Sequence, residues 1–176
     1  LFIWMQTLSM AIFGVNEFAA RFPNAVCGIV SLLLIFHLGK TYFSTRLGWL
    51  WVFCYLGTLT PHMYFKSGII DPWFNLFIFT GIVFIAKGSL LLALPRTKKY
   101  ALAGLFIGLA LLTKGPAAVL IALLCVLVVF ALRRFRFFFN LRDLLVFTLV
   151  CAVVSFAWYG AETMKNGFWF ISEFIR

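Results

Sequence analysis

The chain has 176 residues, of which 64% are hydrophobic and 11% charged, and its formal net charge is +10. A soluble domain carries about 45–50% apolar and about 25% charged residues, so this composition excludes an ordinary globular protein and points to an integral membrane protein. Nucleic acid is not an expected partner, because most of the basic residues lie in short linkers between apolar stretches, where topology and anionic headgroups account for them.

The first 22 residues are apolar but interrupted. Gly14 ends one helical run, and Asn16 is placed to cap a second short helix, Glu17 to Phe22, before Pro23. These are read as helices on the outer interface (1–22), ahead of a membrane core (23–160) and a second interfacial segment (161–176). Within the core, apolar spans are expected at 23–38, 47–65, 71–86, 100–113, 116–132 and 144–160. At about 1.5 Å per residue most of these reach roughly 24–29 Å, close to the thickness of a bilayer's hydrocarbon core. The fold class is therefore an all-α integral membrane protein of about six transmembrane helices with interfacial helices at the outer face. Residues 87–95 read as a short apolar extension, and 133–143, where Arg alternates with Phe, as an interfacial helix on anionic lipid.

Charge falls alternately in the linkers. Lys40, Arg46, Lys87, Arg96, Lys98, Lys99, Arg133, Arg134, Arg136 and Arg142 share one side, opposed only by Asp143. Arg21, Lys66, Lys114, Lys165 and Arg176 lie on the other, with Glu17, Asp71, Glu162 and Glu173. The positive-inside rule makes the first set cytoplasmic and puts the mixed set, with any carboxylate chemistry, outside.

Asp71 stands at the outer mouth of a span, followed by Pro72 and preceded by His62, Tyr64 and Lys66. An Asp-Pro pair is what a helix start requires, and a carboxylate there can also be functional; the residues support both readings. Lys114 occupies the break Thr113-Lys114-Gly115-Pro116, a tight outward hairpin. A lysine in the last turn of a helix is favourable anyway, yet this one is the lone charge of a short outer loop and could meet a phosphate at the membrane surface. Glu17 and Arg21, four apart, read as a surface pair, as do Glu162 and Lys165. His37 reads as packing, and a single His62 near one Asp is a poor metal site. The four cysteines fall in separate spans and read as small buried hydrophobes. Trp49, Trp51, Trp73, Trp158 and Trp169 suit an aromatic belt, and Gly104 with Gly108 suits close helix packing.

The segments GVNEFAARFPNA (14–25), SGIIDP (67–72), GLALLTKGP (108–116) and AWYGAETMKNGFWFISEFIR (157–176) together resemble, in order, the bacterial branch of the polyprenyl-phosphate-dependent glycosyltransferases of the GT-C fold. That group includes protein O-mannosyltransferase-like enzymes and the aminoarabinose transferase that modifies lipid A. The resemblance implies an inverting transfer at the outer face of the bacterial inner membrane, from a polyprenyl-phosphate-linked sugar to a hydroxyl on a protein, lipid or glycan acceptor. It implies a supporting catalytic role for Asp71, donor contacts from Lys114, and substrate contacts from Lys66, His62 and Glu173. No metal ligand is assigned within this chain, and the cofactor stays open, with a divalent metal conceivable in the intact parent. In the family the general base and a first membrane helix precede the position of Leu1, so these 176 residues alone are expected to be inactive. Two other readings are a transporter or flippase for lipid-linked sugars, which calls for charged or broken helices near the midplane whereas the acids here cluster at one face, and a scaffold packing through Gly104 and Gly108.

Overall fold

A computed structural model describes residues 1–87, 95–132 and 140–166, and they form eight helices with no strand among them. In chain order these are α1 (Phe2–Phe13), α2 (Glu17–Tyr42), α3 (Thr45–Gly57), α4 (Leu59–Lys66), α5 (Asp71–Lys87), α6 (Arg96–Lys114), α7 (Ala117–Leu132) and α8 (Leu141–Asn166). The protein is thus an all-α membrane protein. Helices α2, α3, α5, α6, α7 and α8 overlie the six expected spans. Of these, α2 and α8 are each long and apolar enough to cross a bilayer by themselves, and the bent pair α4–α5 makes a third if counted as one span. The proposed interfacial helix at 133–143 lies largely outside the described residues, as do most of the 87–95 extension, Trp169 and Glu173.

Two helices organise the packing. Helix α2 touches α1, α3, α4 and α5, while α6 lies between α5 and α8 and also meets α7. Helix α5 joins the two groups: Leu76 packs with Cys27, Leu34 and Leu38 of α2, and Phe74, Phe77 and Ile78 pack with Ala110 and Ala118. Trp73, partly buried, packs against both clusters. Of the cysteines, Cys27 is buried as expected, Cys54 is exposed, and Cys125 and Cys151 are intermediate. Only 6% of the residues in the most apolar window of α8 are buried, against 44% for α2, so α8 is the less covered of the two by the described residues.

Glycine sets the closest approaches. A Cβ on Gly104 would lie 2.5 Å from the Phe147 carbonyl oxygen of α8, and one on Gly39 would lie 2.6 Å from the Gly48 Cα of α3. The expected packing role of Gly104 and Gly108 is therefore met inside the monomer, against α8; the α2–α3 crossing through Gly39 and Gly48 had no expectation attached.

Three expected boundaries change. Pro23 does not open a helix but lies inside α2, which runs unbroken from Glu17 to Tyr42 with Asn16 as its cap, the Asn16 side chain accepting from Ala19 N at 2.7 Å. Proline leaves the carbonyl four residues back without its helical donor. Here that carbonyl, Ala19 O, accepts instead from the buried Ser9 hydroxyl of α1 at 2.7 Å, so the helix continues and α1 is tied to it. The expected span 47–65 is broken at Thr58, whose extended backbone ends α3 and starts α4. The short span 100–113 is the body of a longer helix, because Arg96 to Lys99 and Lys114 join α6 and bring it to 19 residues, roughly 28 Å.

Candidate functional site

Asp71 is the first residue of α5, and Lys114 is the last of α6. The local sequence fixes both positions. Pro72 suits the first turn of a helix, and Gly115 takes φ 66 at the end of α6 while its N–H donates to Leu111 O at 2.7 Å. Because α5 and α6 run antiparallel in extensive contact, these two ends meet, and Lys114 Nζ is ion-paired and hydrogen-bonded to Asp71 Oδ1. The carboxylate that could have served only as a helix cap is engaged by the lysine instead. Lys114 also lies 5.4 Å from the centroid of the Phe74 ring, one face of which therefore shields the ammonium.

The pair is neither buried nor free in water: the side chains are 36% (Lys114) and 30% (Asp71) exposed. An ammonium has three donors, so Lys114 can hold Asp71 and still offer N–H groups to an incoming anion. A cavity of about 290 Å³ opens among α2, α3, α4 and α5, with Pro72, the chain neighbour of Asp71, in its wall and neither Asp71 nor Lys114 in its lining. Tyr55, Tyr64 and Asn75 are among its lining residues, and Trp51, Leu76 and Phe79 help to make it mainly apolar. Asn75 lies one turn after Asp71 on α5; inside an apolar run it carried no motif that marked it in the sequence.

Of the other expected site residues, His62 and Lys66 are exposed on α4, and neither is a partner of the Asp71–Lys114 pair. Glu173 lies outside the described residues. Glu17 and Arg21 form the expected exposed surface pair at 3.2 Å. Among the described residues no three His, Cys, Asp or Glu side chains gather as a metal site would need. Two residues that sequence reading passed over reach the same end of the fold. The Asn24 amide donates to the carbonyls of Ser67 and Ile69, and Gln6 donates to Ala20 O.

The opposite end carries its own charges. Arg96 Nε meets Asp143 Oδ2 at 2.5 Å, with Asp143 nearly buried, and Lys40, Arg46, Lys98 and Arg142 are exposed. Helix α6 thus bears a paired cation at each terminus.

These features define a polytopic α-helical membrane protein with an acid–ammonium pair at one end of its bundle and a basic rim at the other. The chain belongs to the dolichyl-phosphate-mannose-protein mannosyltransferase family, whose model matches residues 1–159. Among curated proteins it is 29% identical over 172 residues to an uncharacterised protein of Aquifex aeolicus, covering 98% of this chain and 37% of that one. It is 30% identical to the undecaprenyl phosphate-alpha-4-amino-4-deoxy-L-arabinose arabinosyl transferase 1 of Pseudomonas fluorescens, covering 98% of this chain and 31% of the relative. A transferase of the same description from Shewanella sediminis is 28% identical over 126 residues, 70% of this chain and 23% of its own. The chain therefore spans about a third of the length of such relatives. No solved structure matches.

Proposed function

We propose that this chain forms part of a membrane glycosyltransferase that takes a sugar from a polyprenyl-phosphate donor and passes it to an acceptor hydroxyl at the outer face of the bacterial inner membrane. The reading rests on one observation above all: Asp71 and Lys114, which come from two separate segments resembling the family, are joined in an ion pair where α5 begins and α6 ends. The relatives' names supply the donor class, a sugar on undecaprenyl phosphate. The basic rim at the far end supports the outward placement of the pair by the positive-inside rule.

In the transfer, the bond between the sugar's anomeric carbon and the phosphate oxygen breaks as the acceptor oxygen bonds to that carbon. The acceptor's proton passes to a base supplied by the rest of the protein, and the polyprenyl phosphate leaves with an additional negative charge. Lys114 takes the role of neutralising that charge; near the low-dielectric membrane edge its ammonium counts for more than it would in water. Asp71 holds the lysine in place before the donor arrives and keeps its charge oriented. His62 and Lys66 on α4 and Glu173 complete the substrate contacts, and the acceptor is a protein, lipid A or a glycan.

The test is Asp71→Asn in the full-length protein, assayed by release of polyprenyl phosphate coupled to sugar transfer. Turnover should fall by at least about tenfold, the loss expected of a positioned charged group. Unchanged turnover by a folded variant overturns the role of Asp71 and leaves it as the start of a helix.

A further inference from the structure

Asn24 is fully buried in α2, one residue past Pro23. Both hydrogens of its amide are spent on one short stretch of chain: Nδ2 donates to Ser67 O and to Ile69 O, each at 2.7 Å. Those carbonyls flank Gly68 in the link between α4 and α5, where the path of the chain turns by 118°, and Asp71 follows at once. The same link is touched from α1. Gln6 Nε2 donates to Ala20 O at 3.0 Å and approaches Gly68 O at 3.5 Å, and a Cβ on Gly68 would come within 3.3 Å of that nitrogen.

A non-helical link at the edge of an apolar bundle has carbonyls that no helix partner serves, and each needs a donor. Bridging two carbonyls two residues apart takes two N–H groups on one atom. Serine and threonine offer one donor, an ionised aspartate none, and glutamine the same amide on a stem one methylene longer. The Asn24 Oδ1 is meanwhile buried without a partner among the described residues. A residue present for packing alone would not carry that cost, since an apolar side chain of similar size fills the space without it.

We infer that Asn24 is a positioning residue of the proposed transferase site, acting through Asp71: by clamping the Ser67–Ile70 link it sets the start of α5, and with it the carboxylate that meets Lys114. Gln6 is the auxiliary clamp. The inference rests on the reading of Asp71 given above.

The test is a double-mutant cycle on transfer rate in the full-length protein. Asn24→Ala should slow transfer about tenfold in the parent and by less than about twofold when Asp71 is already Asn, because the group it positions is gone. Gln6→Ala, outside the buried core, should give a smaller loss that vanishes in the same background, and it decides the matter if Asn24→Ala does not fold. A second readout needs no activity. With the exposed Cys54 changed to Ser, oxidative cross-linking of an Asp71→Cys, Lys114→Cys pair should slow several-fold when Asn24 is replaced by Ala, or Gln6 where that variant stands in. Wild-type transfer by a folded Asn24→Ala, equal losses in both backgrounds, or an unchanged cross-linking rate overturns the inference. If Asp71→Asn alone is fully active, the reading of Asp71 fails, and the cross-linking rate still decides whether Asn24 and Gln6 set the position of residue 71.

Discussion

Lys114 closes α6 against Asp71 at the opening of α5, so two residues 43 positions apart form a single charged unit at the end of an apolar helix pair. Neither needs the other for its own helix. Pro72 and Gly115 supply the local signals for the start and the stop, which leaves the side chains available for something else.

That separation can be measured with Lys114→Met, which keeps most of the stem and removes the charge. A pair about one third exposed on each side contributes only about 0–1 kcal/mol to stability. The variant should therefore melt within a few degrees of the parent while transfer by the full-length protein falls by at least about tenfold. A large drop in melting temperature with little change in the rate per folded molecule would make the lysine a structural anchor.

How much of this was legible depended on how local each cause is. Asn16 as a cap, Gly115 as a helix stop and the start of α5 at Asp71 follow from neighbours within four residues, and the sequence carries them in plain form. The break at Thr58 was hidden because apolar residues continue on both sides of it; its local signals were Gly57 just before and Pro61 in the first turn of α4, where a missing N–H costs nothing. Pro23 misled for the opposite reason. Within a helix a proline is better tolerated where another donor serves the freed carbonyl, and whether Ser9 would reach it is decided by tertiary structure. Asn24 was invisible on the same account: nothing in its surroundings along the chain shows that its partners lie 43 and 45 positions away.

The α6–α8 contact should be intolerant of a single methyl group. At Gly104 a Cβ would meet the backbone of Phe147 at 2.5 Å, and backbone cannot swing aside as a side-chain end can. Gly104→Ala should cost about 1–3 kcal/mol, read as a lowered thermal midpoint in detergent. Gly57→Ala is the control, since a Cβ there meets nothing within 4 Å, and it should be neutral or stabilising by at most about 1 kcal/mol.

At the basic end, Arg96 stands at the N-terminus of α6, where the helix dipole disfavours a cation, and Asp143 in the first turn of α8 offsets this. Asp143 is only 3% exposed, whereas the Arg96 side chain is about half exposed. Removing the arginine strands a buried carboxylate, but water entering the vacated space partly replaces it. Arg96→Ala should cost about 1–3 kcal/mol, less than a fully buried pair, and adding Asp143→Asn should recover part of the loss. A melting temperature unchanged by Arg96→Ala would show that the pair is already screened.

Ser9 and Pro23 should be coupled although their side chains play opposite parts. Ser9→Ala leaves the Ala19 carbonyl without its donor from α1, while Pro23 withholds the backbone donor, so a buried acceptor goes unserved at a cost of about 1–3 kcal/mol. Pro23→Ala restores an N–H to the position that serves Ala19 O, and the serine then becomes dispensable to α2. In the pair of substitutions the loss from Ser9→Ala should shrink by at least about half, a coupling visible in a double-mutant cycle on thermal stability. Strictly additive effects would mean that the hydroxyl holds α1 in place without completing α2, and the passage of that helix through Pro23 would then need a different donor.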